Sequence, residues 1–295
     1  MTNPTGQAFV SRGFKYGMVW PAVLIILLIG LFPLIYTAII SFQNIDMFDE
    51  DTSFHGFVHY QALMDDQRFW QALRNTMIFL VIALPIEFAL GLLLALLFLE
   101  RLPGKQIFIA LMILPVVISP IIAGATWRLL FDHRYGPINQ IIGWVTGEAP
   151  TLLWTVNPNL VYPAILLAEI WQWTPFMFLL LLAGLSTVDR SLTEAAELDG
   201  ANFWQAFWHI TLPVIKPVIA VALLIRGLDL FRLFEVVWAL TRGGPGTMTE
   251  TISIYTYVRA FQQFDTSYAA AMAFVVIIIL SLVVMAALKR VELVR

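Results

Sequence analysis

From Gly17 to Phe42 the chain carries no Asp, Glu, Lys or Arg. Five later stretches are also long and mainly apolar: Thr76–Leu99, Ile107–Trp127, Leu160–Leu185, Val218–Leu240 and Ala269–Leu288. About 20 apolar residues rising 1.5 Å each cross a hydrocarbon core of roughly 30 Å. Lipid offers the backbone no hydrogen bonds, so only helices or closed barrels cross it. These runs lack the period-two alternation of barrel strands. They predict an all-α integral membrane protein with six transmembrane helices and one membrane domain over residues 1–295. Prolines within the runs (Pro33, Pro85, Pro115, Pro120 and Pro175) predict kinks. The first run is too long for a signal peptide and lacks a small-residue cleavage pattern, so it reads as a retained helix.

Composition sharpens the exclusions. Only 13% of residues are charged, about half the share usual in soluble domains. A net charge of −3 is too small to suggest a nucleic-acid surface. The absence of cysteine rules out a disulfide framework, a thiolate metal site and a catalytic thiol. His55, His59, His133 and His209 show no metal-ligand spacing on a defined helix. No catalytic and no metal-binding residues are assigned.

Lysine and arginine in the connections set the orientation. One side collects Arg12, Lys15, Arg101, Lys105, Arg190, Lys216, Lys289, Arg290 and Arg295. The other collects Arg68, Arg74, Arg134, Arg242 and Arg259, with Arg128 at a helix end. The richer side is expected to be cytoplasmic, with both termini inside. Three longer connections then lie outside. The first, 43–75, is acidic, with Asp46, Asp49, Glu50, Asp51, Asp65 and Asp66. The second, 131–159, holds an amphipathic stretch from Ile138 to Val145. The third, 241–267, opens with the turn-forming run Arg242-Gly-Gly-Pro-Gly246.

A polar loop, 189–214, falls inside between the fourth and fifth spans. Ser191 followed by Glu194 matches a capping box and predicts a short helix through Leu198. Gly200 stands where a left-handed C-terminal cap is needed. Asn202 and Gln205 predict a second short helix, Phe203–His209, which Pro213 and Pro217 are expected to end. Phe203, Phe207 and Ile210 fall on one face, with Trp204 and Trp208 beside it. The pattern fits a docking surface for a cytoplasmic partner. It fits equally a helix whose tryptophans sit among lipid headgroups.

The run Glu194-Ala195-Ala196, with Gly200 six positions after Glu194 and Ile210-x-Leu212-Pro213 beyond, resembles the EAA signature of ATP-binding-cassette importer permeases. Asp199-Gly200-Ala201 is the fuller form of the carbohydrate branch. Other segments carry the same likeness: Phe69-Trp70 with Asn75-Thr76, and Leu114-Pro115 through Trp127 to Gly136 and Asn139. The run Thr241-Arg-Gly-Gly-Pro245 with Tyr255, Tyr257 and Ala260-Phe261 is similar to the first permease subunit of maltose and glycerol-phosphate type transporters. The resemblance covers nearly the whole chain. It implies that the loop is a coupling helix fitting a cleft in an ATPase subunit, with Glu194, Ala195, Ala196, Asp199, Gly200, Ala201, Phe207, Ile210, Leu212 and Pro213 as the coupling residues. It further implies a second homologous permease, two ATPase subunits using ATP and Mg, an extracytoplasmic solute-binding protein, and residence in a bacterial cytoplasmic membrane. The chain itself has no G-x-x-x-x-G-K-[ST] loop, so no cofactor is expected on it.

Charges within spans are costly and mark interior or wet faces. In the fifth span Arg226, Asp229, Arg232 and Glu235 recur at i, i+3 and suggest a ladder of ion pairs. Such a ladder suits a structural network or a substrate pathway. In the fourth, Glu169 stands near Trp171, Gln172 and Trp173. A carboxylate beside indoles suits a sugar, and the same rings equally suit plain packing. The favoured function is the membrane subunit of a binding-protein-dependent importer of a sugar or polyol. The alternative is a secondary transporter using Asp229 or Glu169 as its ion carrier.

Overall fold

A computed structural model describes residues 12–45, 50–51, 53–99, 102–147 and 151–292. Asp46 and Asp49 of the acidic connection, and Arg101 and Arg295 of the cytoplasmic set, lie outside the described residues. The described residues form two compact units, 12–65 with 259–277, and 66–258 with 278–292.

In the first unit α1 (Arg12–Ile40) leads into a short antiparallel pair, β1 (Asn44–Ile45) with β2 (Glu50–Asp51), in the register Asn44 to Asp51. The helix α2 (Val58–Asp65) follows. From Tyr16 to Ile35 every side chain of α1 is exposed, apolar ones included, as expected of a helix apolar all round.

The second unit begins with α3 (Gln67–Leu97), capped by Asp66, whose carboxylate accepts from the Arg68 and Phe69 amides. Then come α4 (Lys105–Val117), α5 (Pro120–Leu130), α6 (Pro137–Thr146), α7 (Pro158–Leu185), α8 (Arg190–Leu198) and α9 (Phe203–Ala206). A π-helical turn, Phe207–Thr211, joins α9 to α10 (Leu212–Phe231), and α11 (Glu235–Leu240) and α12 (Ile252–Tyr257) complete the core. The last helix, α13 (Thr266–Glu292), belongs in part to each unit.

Among the described residues, four helices are long and apolar enough to cross a membrane: Tyr16–Ile40, Gln67–Leu97, Pro158–Leu185 and Thr266–Ala286. They account for four of the expected spans. The third expected span, 107–127, is not one kinked helix but α4 and α5, set at 95° to each other. Pro120 explains the break. A proline disfavours the helical region for its predecessor, and here Ser119 (ψ 135°) is extended, as is Ile118 (ψ 133°) before it. The freed Ile118 carbonyl accepts a 2.9 Å bond from the Gln172 side-chain amide. Pro33, Pro85, Pro115 and Pro175 lie inside continuous helices.

The fifth expected span, 218–240, also divides, because α10 ends at Phe231 and α11 starts at Glu235. Thr251 Oγ1 donates 2.7 Å to the Leu233 carbonyl released there. Lys216, Arg226 and Asp229 also interrupt the apolar run of α10.

Packing centres on α3 against α7, with α10 laid on both. Two apolar clusters form along this contact. One gathers Phe79, Ile165, Val237 and Ile254, and the other gathers Ala95, Phe178, Leu181 and Ile215. At Gly91 the helices approach so closely that a Cβ would lie 2.7 Å from Met177 Cβ and 2.9 Å from the Phe178 amide nitrogen. Gly91→Val is therefore expected to force α3 and α7 apart, at about 1–3 kcal/mol or more. Thermal unfolding of the detergent-purified protein should show a midpoint several degrees lower; an unchanged midpoint would contradict the close approach.

The segment 241–258 is fastened to the start of α3. Arg68 makes a bidentate pair with Glu250, both bonds 2.8 Å. Asn75 donates to the Glu250 carbonyl at 2.9 Å, Thr76 Oγ1 accepts from the Ile252 amide at 2.9 Å, and Tyr255 donates to Asp66 at 2.6 Å. Asn75 and Thr76, known in the sequence only as motif residues, thus hold a long connection in place.

Candidate functional site

Two sites emerge in the second unit, a surface turn and a buried charge cluster. The turn is built from 189–213. Its first helix is capped by Asp189, whose carboxylate accepts a 2.9 Å bond from the Ser191 amide. The expected Ser191–Glu194 capping box is corrected accordingly: α8 begins two residues earlier. A carboxylate also gains from the positive end of the helix dipole, which a serine hydroxyl does not. The Ser191 amide holds the Asp189 carboxyl below its ordinary range. Its capping is present above that ordinary range and is lost as the pH falls through the lowered value.

The turn itself follows the expected pattern. Gly200 has φ +82°, the Ala201 amide bonds back to the Ala196 carbonyl at 2.9 Å, and the Gly200 amide to Glu197 at 3.0 Å. These are the two bonds of a Schellman cap. Asn202 and Gln205 then make a reciprocal capping box, with bonds of 2.9 and 2.8 Å.

The second helix does not stop at Pro213. Its chain passes through the π turn 207–211 directly into α10, with the Leu212 amide bonded to the Phe207 carbonyl. That i→i+5 bond widens the turn ahead of Pro213, whose ring would press on the His209 carbonyl in a regular helix. Phe207 is buried, while Ala196, Ala201, Ile210 and Leu212 are half-buried. Glu194, Ala195, Asp199, Gly200 and Pro213 are exposed. Large apolar groups stand in the open beside them: Leu198 is 90% exposed and Trp204 63%. The Phe203 ring stacks on Phe207 at 6.3 Å.

The second site lies between the two apolar clusters of the core. Arg226, only 1% exposed, donates from Nε and Nη2 to both oxygens of Glu87, at 2.7 and 2.9 Å. Its Nη2 also reaches Glu169 Oε1 at 2.6 Å, and Nη1 pairs with Asp229 one turn along α10. The guanidinium lies 4.5 Å from the centre of the Trp173 ring, a cation–π contact. Such fork geometry is what arginine supplies and lysine does not.

Of the expected ladder, Arg226–Asp229 is present and Asp229–Arg232 is long, at 4.0 Å. Arg232 and Glu235 form no ion pair among the described residues, because the helix breaks between them. Trp171 takes no part in the cluster. It sits two residues, about 200° of helix, from Glu169 and meets Trp127 edge-on at 5.6 Å. Glu87 was missed. Its signal is plain in retrospect: it is the lone charge between Arg74 and Glu100. A cavity of about 340 Å³ opens beside the cluster, lined by Pro120, Glu169, Trp173, Asp229, Arg232 and Glu235 among others.

The chain is similar to known proteins along most of its length. A family described as "Binding-protein-dependent transport system inner membrane component" matches residues 60–292. The chain is 35% identical to the trehalose/maltose transport system permease protein of Thermococcus litoralis, over 87% of each chain. It is also 35% identical to the sulfoquinovosyl glycerol transport system permease protein of Agrobacterium fabrum, covering 92% of this chain and 87% of that one. Among solved structures, a bacterial alginate ABC transporter in complex with an alginate pentasaccharide-bound periplasmic protein matches with a TM-score of 0.82 and 26% identity, covering 93% and 92%.

Proposed function

The chain belongs to the family of binding-protein-dependent transport system inner membrane components, and from that premise we propose that it forms half of the membrane channel of an ATP-driven sugar importer. Relatives named for sugars support the solute class. The observation that carries the reading is the rigid turn at Gly200. It presents Leu198, Phe203, Trp204 and Trp208 to solvent on a framework fixed by three caps. Exposed aromatics on a preorganised scaffold are what a partner's cleft buries at low entropic cost.

On this reading the chain crosses the membrane six times. Its third and fifth crossings are the broken pairs α4–α5 and α10–α11, and both termini are cytoplasmic. The loop 189–214 docks into an ATPase subunit, a homologous permease supplies the other half, and a solute-binding protein delivers solute from outside. ATP and Mg are consumed by two ATPase subunits. The ATPases draw the two coupling loops together on binding ATP, and the helices attached to those loops rock the channel between its inward and outward openings. Glu169, Trp173, Asp229 and Arg232 line the solute path at mid-membrane. A carrier driven by an ion gradient would have no use for the docking turn, and family membership speaks against it.

The test is uptake in proteoliposomes holding the assembled complex, with trehalose and maltose among a panel of radiolabelled sugars. Uptake is expected only with ATP and Mg on the cytoplasmic face and solute-binding protein on the other. Uptake driven by a proton or sodium gradient without ATP would return the carrier reading to first place.

A further inference from the structure

The cavity beside Glu169 has a charge pattern that restricts what it can hold. Glu169, Asp229 and Glu235 line it against a single guanidinium, Arg232, which is itself 4.0 Å from Asp229. The nearby Arg226 has Nε, Nη1 and Nη2 each committed to a carboxylate. Among the described residues Arg232 is thus the one cation lining the cavity, against three carboxylates.

Acceptors, in contrast, are left over. Glu169 Oε2 and Gln172 Oε1 are buried and meet no donor among the described residues. They sit one turn apart on α7, so they share a helix face. Glu169 is 2% exposed and yet borders the cavity. A buried acceptor with no donor is rare and costly in a folded protein. A ligand hydroxyl would satisfy it. Trp173, on the same wall, offers an apolar flank to the carbon face of a sugar ring.

We propose that this cavity selects uncharged polyhydroxy solutes, which donate hydroxyl protons to Glu169, and discriminates against sugar acids. The proposal rests on reading the chain as the permease half of an importer. A carboxylate or sulfonate placed here would meet carboxylates that outnumber the lining cation three to one, and like charges at close range repel. It would find acceptors it cannot serve and would compete with Asp229 for the one guanidinium, Arg232. Rejection by unpaired like charge is an effective source of specificity.

The experiment uses the assembled complex of both permeases and the ATPase subunits. It is titrated with three matched pairs: glucose and glucuronate, and trehalose and maltose each with its C6 carboxylate. Tryptophan emission and equilibrium dialysis report binding, without nucleotide and again with a non-hydrolysable ATP analogue, so that both openings are sampled. In at least one pair the neutral member is expected to bind about tenfold tighter or more. Glu235→Gln, which removes a lining charge from an exposed position, should narrow the gap without disturbing the buried pairs. Equal or tighter binding of the acids overturns the proposal, as does failure of all six probes in both states. ATP-dependent uptake, measured on the same preparation, reports separately on the permease reading, so the two can fail independently.

Discussion

Arg226→Met is expected to abolish assembly of the permease rather than merely slow transport. The substitution keeps length and apolar bulk but leaves Glu87, Glu169 and Asp229 grouped around no cation. Removing one member of a buried ion pair costs roughly 3–5 kcal/mol, a large part of the 5–15 kcal/mol that holds a typical protein folded. Three carboxylates without their arginine should stand at the upper end of that range. Arg226→Lys restores the charge but not the bidentate fork to Glu87, so an intermediate yield is expected. Combining Arg226→Met with Glu87→Gln and Glu169→Gln should recover part of the yield, because coupled residues are not additive. The measurement is the amount of membrane-inserted chain that co-purifies with the proposed partner permease. Wild-type yield for Arg226→Met would mean that the cluster carries no structural weight.

Gly200→Val should have the opposite signature, with a folded and inserted protein that no longer couples. Space is not the obstacle, since a Cβ at Gly200 has nothing within 4 Å. The obstacle is φ +82°, which costs a β-branched residue more than the roughly 1–2 kcal/mol of an ordinary left-handed placement. The turn would relax, and the aromatic row on α9 would swing away from the face set by α8. Uptake and binding-protein-stimulated ATP hydrolysis are expected to fall at least tenfold while the yield of the proposed two-permease core stays normal. Gly200→Asn tests the cause, because asparagine tolerates the left-handed region and should retain most activity. Equal loss in both variants would place the defect in something other than backbone conformation.

Local rules made some parts of this protein legible in its sequence and hid others. The four long helices follow from uninterrupted apolar length. The turn at Gly200 follows from short-range chemistry, because a glycine cap and the Asn202–Gln205 box each need only a few residues of context. The breaks at Ile118–Ser119 and Arg232–Phe234 were hidden, because they are stabilised from afar, by Gln172 and Thr251. A proline alone does not announce one: Pro85 and Pro175 sit in unbroken helices while Pro120 starts a new one. The charge cluster was half visible. Periodicity within one segment found Arg226 and Asp229, but no spacing rule links Glu87 to a residue 139 positions away. A single carboxylate in an apolar run was the available clue, and asking where its counter-charge lies would have led to Arg226.

The π turn at Phe207–Thr211 has a mechanical consequence. Because the chain does not leave helical form there, Phe203 to Phe231 is one continuous rod, about 43 Å at 1.5 Å per residue. Trp204 stands near one end and Arg226 near the other. A helix is stiff along its axis, so a push on the aromatic end arrives at the guanidinium as displacement rather than being absorbed by a flexible linker. The wider turn, with Pro217 beyond it, is where the rod departs from the regular hydrogen-bond ladder. The rod therefore ties the position of the exposed aromatic turn to that of the buried guanidinium.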